Sequence, residues 1–91
     1  MAAREDSRTE PEGSDGFPVY RQLAGGGHYY RIDSSHAFHE LQRIGSRLVH
    51  HAVHAEAYPE KLRIAEMIAC AEGRYAPFDG AEWEALFRTI R

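Results

Sequence analysis

The sequence predicts an α+β domain that is mainly helical: an N-terminal β-hairpin packed on about three α-helices. Three observations lead there. Two β-prone runs, "VYRQL" and "HYYRI", flank a run of three glycines. Apolar and small residues recur at spacings of three and four from Phe38 to Ala55. Two more stripes at helical spacing follow, each behind a helix-start residue.

In chain order, residues 1–16 read as a disordered acidic leader. Arg4 and Arg8 stand against Glu5, Asp6, Glu10, Glu12 and Asp15, and the segment has no Val, Ile, Leu, Phe, Tyr or Trp. Such a stretch buries too little apolar surface to offset its ordering entropy. Residues 17–91 then form a single compact domain. Its charges balance, nine basic against nine acidic, and it holds all six histidines. A balanced body lacks the concentrated basic footprint of a general phosphate binder.

The hairpin is expected over 18–23 and 28–32. Val, Tyr and Ile favour strands, and the glycines supply the positive φ angles of a reversal. Period two puts Val19, Arg21 and Leu23 on one face, and His28, Tyr30 and Ile32 on one face of the second strand. The glycine spacing matches neither the dinucleotide nor the Walker phosphate loop.

"DSSHAFHELQRIG" opens the first expected helix, capped by Asp33, Ser34 or Ser35. If it continues through Gly45, then Phe38, Leu41, Gly45, Leu48, Ala52 and Ala55 form a heptad seam with small residues along it. The alternative is a break at Gly45, with a third strand at about 46–55 and shorter helices. Neither face of that strand is cleanly apolar, so the helix is preferred. The second helix starts at Pro59 and Glu60 and stops at Gly73, with Ile64, Met67, Ile68 and Ala71 as its stripe and Cys70 packed in its middle. The last helix is capped by Asp79 with Glu82 three residues on, and buries Trp83, Leu86, Phe87 and Ile90.

The single cysteine, Cys70, excludes an internal disulfide and a multi-cysteine zinc site, and fits a reducing compartment. With no long apolar run and no apolar core in the first residues, a cytoplasmic, non-membrane protein is expected.

"LVHHAVHAEAY" concentrates three histidines. On a helix His50 and His54 would sit one turn apart, a zinc-compatible spacing, but two ligands do not complete a site. No metal, cofactor or catalytic grouping is therefore assigned. The expected function is a small non-catalytic intracellular interaction or regulatory module, self-associating or binding another protein through the 38–55 helix seam. Leu48, Ala52 and Ala55 are its expected contact line, and Tyr29 and Tyr30 a second patch. The alternative is a nucleic-acid-binding regulator. It would use Arg43, Arg47, His50 and His51 with the hairpin tyrosines as stacking platforms.

Overall fold

A computed structural model describes residues 16–90; the leader expected over 1–16 lies outside the described residues except for Gly16. Sheet, not helix, dominates. Five strands run β1 (Val19–Leu23), β2 (His28–Ser34), β3 (Ala37–Ile44), β4 (Arg47–His54) and β5 (Tyr75–Pro77). Two helices, α1 (Tyr58–Ala69) and α2 (Gly80–Arg88), and one 3-10 turn (Ala71–Gly73) complete the described chain. All strands pair antiparallel in the order β4-β3-β2-β1-β5.

This overturns the mainly helical, three-helix expectation. The stretch from Phe38 to Ala55 is not a helix but the β3–β4 hairpin and the residue after it. The alternative placed a strand where β4 runs but kept a helix before it, where β3 now lies. Gly45 decides the local geometry. Its φ of 64° suits the first position of a two-residue reversal, which Gly45 and Ser46 form between the paired Ile44 and Arg47. The heptad seam therefore does not exist, because Phe38 and Leu41 point to opposite sides of a sheet. A sheet buried on both faces loses clean alternation, and spacings of three and four mimic a helix.

The pairing register defines the two faces. Val19, Ile32, Phe38 and Val53 lie in one row, and Tyr20, Arg31, His39 and Ala52 in another on the reverse. α1 covers the first face. Its Ile64 and Met67 join Tyr30, Ile32, Phe38 and Ala55 in the buried core. The Arg63 guanidinium lies 5.8 Å and 5.4 Å from the Tyr30 and Phe38 ring centres. Arg21 on β1 donates from Nε and Nη2 to the Met67 and Ile68 carbonyls at 3.1 and 2.8 Å. The last carbonyls of a helix are short of intrahelical donors, though that of Met67 also accepts the Cys70 N–H at 3.2 Å, and a cation there is attracted to the negative end of the helix dipole. Cys70, expected within the helix, is instead the residue that ends it, in a left-handed conformation with φ of 53°.

α2 covers the second face. The Asp79 carboxylate accepts the Glu82 N–H and starts the helix. Gly80 then lies so close to the Tyr20 ring that a Cβ there would sit 2.6 Å from Cε2. Trp83 is fully buried beneath α2, and its indole N–H has no hydrogen-bond partner among the described residues. No described helix is long and apolar enough to cross a membrane.

Candidate functional site

The open side of β4 and the face that α2 covers hold most of the residues singled out from the sequence. The Arg43 N–H bonds the Gly27 carbonyl, and the Ala55 N–H bonds the His36 carbonyl. Backbone groups alternate along an antiparallel strand. Arg47, Val49, His51 and Val53 therefore face β3. Leu48, His50, Ala52 and His54 turn their N–H and C=O groups outward, where no described strand pairs with them. The opposite edge of the sheet differs. β5 has three residues and ends at Pro77, which has no N–H to offer.

Next to this edge, under α2, runs a connected set of polar side chains. Glu84 Oε2 accepts from the Tyr20 hydroxyl and from Arg31 Nη1, each at 3.1 Å. Arg31 Nε donates to Asp33 Oδ1 at 2.9 Å, while its guanidinium sits 5.3 Å from the Trp83 ring centre. Asp33 lies in the irregularity between Ile32 and Ser34, where the β2–β3 register shifts. Its second oxygen meets His39 Nε2 at 3.1 Å. His39 Nδ1 lies 2.9 Å from His50 Nε2, with the two rings stacked, and Phe87 meets the His50 ring edge-on at 4.9 Å.

The hydrogen-bond logic fixes the tautomers. With His39 Nε2–H given to Asp33, His39 Nδ1 accepts, and His50 donates from Nε2. One added proton is compatible with that chain. Two are not, since both facing nitrogens would then carry hydrogen. Accordingly the His50 pKa is lowered, first by burial and then by the like charges of His39, His51 and Arg31. The Tyr20 pKa is raised by burial and by its bond to Glu84. On the other face Tyr30 is pushed up to about 12, by burial and then by Glu40.

The remaining sequence candidates are placed as follows. His50 and His54 share a side of β4, but four residues of strand separate them by about 13 Å, too far for one ion. Among the described residues no three or more His, Cys, Asp or Glu side chains cluster as metal ligands. Tyr29 and Tyr30 point to opposite faces. Tyr29 packs on Phe78 at 5.0 Å, and Tyr30 is 2% exposed. Ala55 is buried at 1%, so of the expected contact line only Leu48 and Ala52 reach the open edge. Arg43 and Arg47 meet at the β3–β4 turn. His50 is exposed on the α2 face, against Phe87, while His51 sits on the α1 face beside Gln42 at 3.3 Å. Sequence reasoning missed His39, Asp33, Arg31, Glu84 and Tyr20 as a group. His39 and His50 are 11 residues apart, and only the hairpin register brings them together.

Compared with known proteins, the chain matches no family model, no curated protein and no solved structure.

Proposed function

We propose that this chain is a small, non-catalytic cytoplasmic interaction module that pairs with a second copy of itself, strand to strand, along β4. One observation carries the reading: β4 offers eight residues of open edge, whereas the other edge is short and ends in proline. Soluble proteins usually blunt such an edge with lysine, proline, a bulge or a covering element. β4 contains no lysine, proline or acidic residue, and its histidines are uncharged when deprotonated. Beside it Ile44 is 53% exposed.

A two-fold pairing centred on His51 uses the whole outward backbone set. It places Val49 opposite Val53 of the second copy on the α1 face. On the α2 face Leu48 lies opposite His54 and His50 opposite Ala52. At each end Arg47 comes beside the Ala55–Glu56 segment of the other copy, which supplies an opposite charge. That internal complementarity favours a second copy over an unrelated strand. The nucleic-acid alternative draws no comparable support, because His50 and His51 turn to opposite faces of the sheet.

The test is light scattering of the full chain over a range of concentrations, beside two variants. Ala52→Pro removes an outward N–H that makes no bond within the described chain, so the β3–β4 ladder is kept. His51→Arg sets two fixed cations facing each other across the two-fold axis. We expect a wild-type dimer, a monomeric Ala52→Pro with strand content retained by circular dichroism, and a weakened His51→Arg dimer. A wild type that stays monomeric at millimolar concentration overturns the reading. So does a dimer indifferent to both substitutions.

A further inference from the structure

At the turn end of the β3–β4 hairpin an open groove of about 450 Å³ lies between the sheet and the last turn of α2. Arg43 and Arg47 stand on the hairpin side, and Leu48, Leu86 and Ile90 line the apolar side, with Thr89 at the rim. Neither arginine has an ion-pair partner among the described residues. By contrast Arg31 and Arg74 are each paired with two carboxylates. Two unpaired guanidinium groups beside an apolar wall form a bipartite surface. The cations recognise an oxyanion, and the wall takes a hydrophobic body.

The orientation of such a ligand follows from α2. A helix C-terminus is the negative end of its dipole and repels an anion. The last carbonyls are already engaged: that of Leu86 accepts from the Thr89 N–H and hydroxyl, and that of Phe87 from the Ile90 N–H. The anionic head therefore belongs on the hairpin side, and the apolar body against Leu86 and Ile90.

We propose that this groove binds an amphiphilic anion, with a carboxylate or phosphate head held by Arg43 and Arg47 and a hydrocarbon body laid on Leu48, Leu86 and Ile90. The site shares Arg47 and Leu48 with the proposed β4 pairing but uses their side chains rather than the outward backbone, so Ala52→Pro, which should not pair, should bind the same ligand. Two chemical sources, carboxylates and phosphate esters, present the same head.

The experiment is a nuclear magnetic resonance titration of the full chain with four probes: octanoate, octyl phosphate, octanol and acetate. All are kept below the concentrations at which they aggregate. We expect saturable shifts confined to residues around Arg43, Leu48, Leu86 and Ile90. They should appear for octanoate, octyl phosphate or both, and whichever binds more tightly identifies the head group. Octanol, which lacks the charge, and acetate, which lacks the body, should bind at least about tenfold more weakly. The Arg43→Gln/Arg47→Gln double variant should lose about tenfold or more for the anionic probes and nothing for octanol. Equal binding of octanol and octanoate, shifts scattered over the surface, or an unaffected double variant would overturn the proposal. Both arginines are solvent-exposed, so the double variant folds, and its unshifted spectrum elsewhere verifies this.

Discussion

Gly80→Ala is a substitution for which helix propensity and packing predict opposite signs. Alanine is the better helix former by about 1 kcal/mol, so at the first position of α2 propensity alone predicts a more stable protein. The structure predicts the reverse. The new Cβ would lie 2.6, 2.9 and 3.1 Å from Cε2, Cδ2 and Cζ of Tyr20. Ordinary contact begins near 3.4 Å, so ring and helix must part by about 0.8 Å at the closest pair. The ring is not free to yield. Its hydroxyl is bonded to Glu84 on the same helix, and Trp83 lies 6.2 Å away on its flank. Forcing a methyl into such a contact costs about 1–3 kcal/mol. Swinging the ring aside instead gives up a bond to a charged carboxylate, worth about 1.5–3 kcal/mol. Packing outweighs propensity, with a net loss of up to about 2 kcal/mol. Each kcal/mol shifts the melting temperature of a domain this size by about 4–8 °C. Thermal melts followed by circular dichroism should therefore show Gly80→Ala melting lower, by up to roughly 15 °C. The double-mutant cycle isolates the cause. In a Tyr20→Ala background the same substitution should become neutral or stabilising. An equal penalty in both backgrounds, or a gain in the wild type, would refute the packing argument.

Two further outcomes follow from contacts already described. The His50 pKa is lowered in the folded chain relative to its free value of 6.5, so protonation favours the unfolded state. This stability is fully present above pH 6.5 and is lost as the pH falls through the folded value. The wild type should therefore melt lower at pH 5 than at pH 7.5, and His50→Gln should flatten that dependence; parallel pH curves for the two would count against the His39–His50 pair. Arg21→Ala leaves the Met67 and Ile68 carbonyls without their cation and should cost about 1.5–3 kcal/mol. Amide exchange should then quicken first in the last turn of α1, and unchanged exchange there would refute the capping role.

Some of this architecture can be read from the sequence. The β1–β2 hairpin is visible because glycines punctuate two β-prone runs, and Gly26 and Gly27 do take φ angles of 88° and 86°. α1 and α2 are visible because each buries one stripe, with Met67 and Trp83 at its centre. β3 is hidden for a physical reason. Its Phe38 is needed under α1 and its Leu41 under α2, and two apolar residues three apart look like one helical face. Only the positive φ at Gly45 separates the readings, and the residue type alone is as consistent with a helix stop as with a hairpin. The polar cluster is hidden more deeply. His50 stands out in the sequence, yet its partner His39 is set by a register that no local pattern encodes. Tyr29 and Tyr30 carry the same lesson: neighbours in the chain, they serve separate cores.

The three-residue strand at Tyr75–Pro77 has a bearing on how large any assembly can grow. A sheet that exposes one lateral border can be joined there once, and a two-fold axis then uses up the border of both molecules. A sheet with two exposed borders recruits a neighbour on each side, and nothing halts the addition. By docking against β1 and finishing on a residue with no amide hydrogen, this short segment seals one flank. A chain in which Tyr75–Pro77 came away from β1 would bare that flank, and filaments rather than pairs would be its natural product.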